Sequence, residues 1–131
     1  MKSINKLSIL GFYLANLILL IFYIYPGSII KCYLYSDCLR YPFQITKAFY
    51  LISGEHFFSF FILSSLGMFA YRKSKKVKFI IIYLFLISII LEFTHITIPF
   101  RAFELGDLFG NILGVILAII IFKIKYKHVQ N

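Results

Sequence analysis

Acidic residues are scarce: five Asp and Glu stand against 14 Lys and Arg, and charge of either sign fills only 15% of 131 positions. An ordinary soluble domain carries charge at about a quarter of its residues, so a water-covered surface is excluded for most of this chain. Trp is absent and Cys occurs only twice, at Cys32 and Cys38. Two cysteines cannot by themselves form a structural zinc site, whose ligands usually come as four with tighter spacing. Catalytic signatures are missing as well. There is no HExxH helix, no Gly-x-Ser-Gly serine and no adjacent Glu-Glu pair, and Ser53-Gly54-Glu55-His56 only superficially echoes the Ser-Gly-His of lipid phosphatases. Nothing suggests a nucleotide, haem or flavin, so no cofactor is expected.

What the chain does have is apolar mass. Hydrophobic residues make up 61%, with 16 Phe and 10 Tyr, and the mean hydropathy is +0.89. A bilayer core of about 30 Å needs about 20 mostly apolar helical residues per crossing. Four runs qualify, at about 7–25, 51–71, 79–98 and 108–124, the first stopped by Pro26-Gly27 and the third by Pro99. The first run follows Lys2 and Lys6 but is too long for a signal-peptide core and has no small-residue cleavage site after it, so it reads as a retained span. The expected fold is all-α, a four-transmembrane-helix bundle that uses residues 1–131 as a single membrane domain.

Short cytoplasmic loops carry an excess of Lys and Arg. Lys2, Lys6, the five basic residues between Arg72 and Lys78, and Lys123, Lys125 and Lys127 put ten of the 14 cations on one side; Lys31, Arg40, Lys47 and Arg101 lie on the other. Both termini and the basic loop 72–78 are therefore expected to be cytoplasmic, and loop 26–47 outside. All five acids fall on or near the outer side of this arrangement. The net charge of +9 is then a topology signal and an attraction to anionic membrane lipids. With no soluble basic face to hold a strand, nucleic acid is not an expected partner.

Cys32 and Cys38 lie in the outer loop with five residues between them. This spacing fits a disulfide closing a small loop, and equally two free thiols. The densest polar chemistry lies where the third run gives way to the fourth. Glu92 and His95 are three apart and share a helix face. Asp107, Asn111 and Gly114 fall at i, i+4 and i+7 on another, and Gly110 with Gly114 makes a small-xxx-small pair that lets a neighbouring helix approach closely. Arg101 and Glu104 sit in the connection, and Glu55 and His56 open the second run on the same side. Ionisable groups at membrane depth are functional candidates. The candidate cluster is therefore His56, Glu92, His95, Arg101, Asp107 and Asn111, with Glu55 and Glu104 at its edge.

The ordered series His56-Phe57, Leu66-Gly67, Glu92, Arg101, Asp107-Leu108, Asn111 and Gly114 resembles the VanZ-like family of small bacterial membrane proteins, over about residues 55–122. The chain departs from that pattern in two places. Ile52-Ser53 stands where the family often has Asp-Lys, and His95 where it commonly has Gln. The resemblance implies a multi-pass protein of the bacterial plasma (inner) membrane acting at the cell envelope, without defining a reaction.

Three readings of the cluster follow. In the first, Arg101, His56 and His95 contact an anionic lipid head group or lipid-linked glycan in the outer leaflet while Asp107 and Asn111 orient them, since Arg presents a planar donor fork matched to phosphate or carboxylate. In the second, the protein is an intramembrane enzyme with Glu92 or Asp107 as general base and the histidines as acids or ligands. In the third, the cluster serves folding alone in a subunit that assembles with other membrane proteins. There Arg101 pairs with Glu92, Glu104 or Asp107, Asn111 bonds a neighbouring helix and Asp107 caps the fourth helix.

Overall fold

The computed structural model describes residues 2–27, 29–36 and 51–127. Among them the chain forms five helices: α1 (Lys2–Ile24), α2 (Ile29–Tyr35), α3 (Gly54–Tyr71), α4 (Val77–Thr94) and α5 (Leu105–Lys127). No strand occurs among the described residues. The short α2 was not expected. It lies within the 26–47 loop and carries Cys32, whose Sγ is 3.6 Å from the Tyr25 hydroxyl. Cys38 falls outside the described residues.

Helix ends move by a few residues from where apolar content placed them, for local reasons. The third run was expected to continue to Ile98, but α4 closes at Thr94. From there His95, Ile96 and Thr97 donate to the carbonyls of Glu92, Phe93 and Thr94 in tighter i→i+3 bonds. Pro99 lacks an N–H and disfavours helical backbone at the residue before it, so the helix must tighten and stop ahead of it. α5 starts at Leu105 rather than Leu108, because the Glu104 carbonyl accepts from both Asp107 and Leu108 N–H. Asp107 therefore lies inside the first turn, near the positive end of the helix dipole, and is not the capping residue. At the opposite end, Arg72 folds back on α3, donating to the Phe69 carbonyl at 2.8 Å with its guanidinium 3.9 Å over the Phe69 ring.

Three helices are long and apolar enough to cross a membrane, over Lys6–Ile24, Val77–Thr94 and Leu105–Tyr126. The second expected span, α3, is not among them. Glu55 and His56 in its first turn and Ser59, Ser64, Ser65 and Gly67 further on lower its apolar content. It is instead the helix on which the others pack: α1, α4 and α5 all lie against it.

Close approach explains how this works. A Cβ on Gly67 would come within 2.8 Å of the Phe12 ring on α1 and 3.2 Å of Ile80 on α4. On α5, a Cβ on Gly110 would meet the Ser53 carbonyl at 2.6 Å, and one on Gly114 would meet the Phe61 nitrogen at 2.8 Å. Lipid tails are as apolar as leucine, so helices in a bilayer are held by such backbone-to-backbone packing and by buried hydrogen bonds rather than by escape from water. Phe12, Phe60, Leu63, Met68, Leu84 and Val115 fill the interior, while Leu14, Ile18, Ile82, Leu86, Leu117 and Ile121 point outward.

The long helices alternate in direction. Tyr13 and Tyr71 hydroxyls meet at one end of the α1–α3 pair and Tyr23 meets His56 at the other. The ends of α1 and α4 and the starts of α3 and α5 thus converge, and Ser53 N–H ties two of them by donating to the Gly106 carbonyl at 3.0 Å.

Candidate functional site

At this convergence the interior turns polar. Glu92, His95 and Asn111 are buried, whereas the side chains of His56 and Asp107 each remain 18% exposed, so the cluster reaches the surface on one side. Asn111 sets the arrangement. Its Nδ2 donates to the Ser88 carbonyl of α4 at 3.1 Å, which turns Oδ1 toward Tyr23 and His56. The Tyr23 hydroxyl donates to that oxygen at 2.7 Å, and His56 Nδ1 lies 3.1 Å from it and 2.7 Å from the hydroxyl. One amide therefore joins α1, α3, α4 and α5.

Two carboxylates flank the histidine. Asp107 Oδ2 stands 3.3 Å from His56 Nε2, and Glu92 Oε2 stands 3.8 Å from Nδ1. Glu92 Oε1 accepts the Glu104 N–H at 3.1 Å at the start of α5 and lies 3.4 Å from His95 Nδ1. The His95 ring stacks on Tyr23, with centroids 5.3 Å apart and planes 16° from parallel. Two buried atoms of the cluster have no hydrogen-bond partner, Glu92 Oε2 and His95 Nε2. One ligand atom from each of His56, Glu92 and Asp107 lies within 4.8 Å of the other two, close enough to share a cation.

Arg101 was expected either to face a ligand or to pair with Glu92, Glu104 or Asp107. Its hydrogen bonds run to α1: Nη2 donates to the Phe22 carbonyl at 2.6 Å and Nε to the Tyr25 carbonyl at 3.3 Å. The last carbonyls of a helix have no partner within it, and a cation there also meets the negative end of the dipole. Phe100, at φ 60° in the left-handed region, turns the chain directly before Arg101. Partial burial lowers the guanidinium below its ordinary pKa, while Tyr23, Glu92 and Asp107 act in the opposite direction through longer-range attraction.

A family model described as VanZ/LLP1 matches residues 10–126. The chain belongs to the VanZ/LLP1 family. No curated protein and no solved structure matches it. The family match reaches well into α1, whereas the resemblance read from the residues began only at Glu55.

Tyr23 lies within the matched part of α1 and reaches the cluster. In this VanZ/LLP1 protein the first helix places its phenol at the centre of the polar cluster, a residue that apolar content hid inside LILLIFYIY. A signal was present, because a buried tyrosine hydroxyl needs a partner, but nothing local said which. Ser88 was missed for the same reason, as its contribution is a backbone carbonyl.

Of the residues singled out in the sequence, His56, Glu92, His95, Asp107 and Asn111 come together, and Gly110 and Gly114 bring α5 against α3 beside them. Glu104 takes part through its backbone while its side chain is exposed. Glu55 lies one residue before His56 in the first turn of α3.

Proposed function

We propose that this VanZ/LLP1-family membrane protein holds the polar head of an envelope lipid, an anionic head group or a lipid-linked glycan, at the outer face of the bacterial plasma membrane. In this reading α3 spans alongside the other three long helices, giving four crossings with both termini cytoplasmic. Its outward residues Phe58, Ile62, Leu66 and Phe69 make an apolar stripe like those of its neighbours.

The observation that carries the reading is the slightly exposed His56–Asp107 pair beside Glu92 Oε2 and His95 Nε2, which are buried and without hydrogen-bond partners. Buried polar atoms are nearly always satisfied, so two orphans in one cluster suit a guest that brings its own donors and acceptors. Sugar hydroxyls donate to carboxylates and accept from imidazole. A phosphate or carboxylate suits the Arg101 face of the cluster.

Native mass spectrometry in mild detergent tests this, with wild type beside His56→Ala and Asp107→Asn. A lipid adduct retained by wild type and lost from both variants is expected. A bare wild type, or the same adducts on all three, would refute it. A purely structural role in a membrane assembly is the second reading, favoured by how fully Asn111, Tyr23 and Arg101 are engaged inside the chain. It predicts destabilised variants without any ligand difference.

A further inference from the structure

We infer that His56, Glu92 and Asp107 bind one divalent metal ion of the zinc or manganese class, with Asn111 and Tyr23 holding the imidazole in place. This does not rest on the lipid reading, since the ion follows from the hydrogen bonding of the cluster itself.

Because Asn111 Nδ2 donates to the buried Ser88 carbonyl, the atom facing His56 is Oδ1, which only accepts. At 3.1 Å from it, His56 Nδ1 must carry the ring proton. With Nδ1 donating in this way, Nε2 is the nitrogen left to bind a ligand, and 3.3 Å away is Asp107 Oδ2. Two such atoms face each other only with a positive centre between them, a proton on Nε2 or a metal ion, and the second is favoured by the further ligand beside them. Ligand atoms held near 2.0–2.1 Å in tetrahedral geometry are about 3.3 Å apart, which is the separation found. A metal-bound histidine almost always donates its other N–H to an oxygen, fixing the tautomer, and Nδ1–H to Asn111 Oδ1 is that bond.

Glu92 supplies an independent observation. Its Oε1 is engaged by the Glu104 N–H, yet Oε2 is buried with no hydrogen-bond partner. The His56 ring lies beside Oε2, with Nδ1 at 3.8 Å, and Glu92 offers one carboxylate oxygen to the group whose ligand atoms all lie within 4.8 Å of one another. A carboxylate oxygen carries full negative character and is costly to bury alone. One divalent ion against two carboxylates and a neutral imidazole leaves the set without net charge, which suits its place between apolar helices. One nitrogen and two oxygens fit zinc and manganese rather than copper(I), which prefers thiolate and thioether. Three protein ligands also leave a coordination position open toward the exposed side of His56 and Asp107, as in metal sites that receive a substrate or water.

The test uses the full chain in mild detergent, stripped with chelator and titrated with Zn²⁺ by calorimetry, with bound metal counted by mass spectrometry. One ion per wild-type chain is expected, with at least a tenfold loss of affinity in His56→Gln, Glu92→Gln and Asp107→Asn. Glu104→Gln, an exposed carboxylate at the same end, should bind as wild type does. Titration of wild type with Co²⁺ gives a readout that needs no variant, the visible absorption of a tetrahedral nitrogen–oxygen site. No zinc on wild type, no such band with cobalt, or an ion retained equally by all three ligand variants overturns the inference. The first of those results would mean that a proton alone joins His56 to Asp107.

Discussion

Gly114→Ala is the substitution whose outcome the packing constrains most tightly. A methyl at this position would lie 2.8 Å from the Phe61 nitrogen and 3.2 Å from Phe60 Cβ, and closer still to the Phe57 carbonyl. Those are mostly backbone atoms of α3, which cannot swing aside as a side chain can, so α5 must move away by several tenths of an ångström or more. Overpacking of this kind costs about 1–3 kcal/mol. Alanine's better helix propensity returns up to about 1 kcal/mol. Taking about 2 kcal/mol for the overpacking, a net loss of about 1 kcal/mol is expected, roughly a fivefold shift toward the unfolded state.

The displacement also reaches the site, because Gly110 one turn earlier lies 3.2 Å from His56 Cβ by the same measure. Gly11→Ala is the internal control: nothing lies within 4 Å of its added methyl, so it should be neutral or slightly stabilising. Both are read by thermal unfolding of purified protein in one detergent. A Gly114→Ala protein at least as stable as wild type, or a Gly11→Ala protein as damaged, would refute the view that α3–α5 backbone contact organises this bundle.

Tyr23→Phe removes a hydroxyl bonded to Asn111 and His56 but keeps the ring stacked on His95; a loss of about 1–3 kcal/mol in thermal or denaturant unfolding is expected, as Asn111 Oδ1 loses a donor in a buried setting. Arg101→Met strands the Phe22 and Tyr25 carbonyls at the end of α1, and should destabilise the fold by about 1–3 kcal/mol, with Arg101→Lys intermediate because a single ammonium lacks the guanidinium's fork. Glu104→Cys should react with a membrane-impermeant thiol reagent added outside intact cells, in a Cys32→Ser and Cys38→Ser background. Reaction only after the cytoplasmic face is opened would reverse the proposed orientation.

How much of this was legible in one dimension varies along the chain. α4 and α5 were found almost whole, because long apolar runs and Pro99 leave few alternatives to a helix that must stop there. α3 was located but its standing was not. The residues that dilute its apolar content, Ser64 and Gly67, are the ones buried against its neighbours, and only packing separates a diluted span from a helix in the centre of the bundle. The polar hinge was legible as a group, since Glu92 with His95 and Asp107 with Asn111 share faces by spacing alone. The hydrogen-bond partners of Arg101 were not legible, because they are main-chain carbonyls of α1, which carry no residue identity for a sequence to display.

The sequence by itself determined the helices, the asymmetry of basic residues between the two ends and the membership of a family, because periodicity, apolar content and charge are local properties. Which groups meet was decided only in three dimensions. Tyr23 and Asn111 are 88 positions apart, and Arg101 lies 79 from the carbonyl it caps. Those meetings depend on how closely α5 can lie on α3 and how α1 crosses it, and such crossings are set by the joint fit of Gly67, Gly110 and Gly114 with the surfaces opposite them. Steric fit between distant segments is a property of pairs of surfaces, so no single stretch of chain contains it.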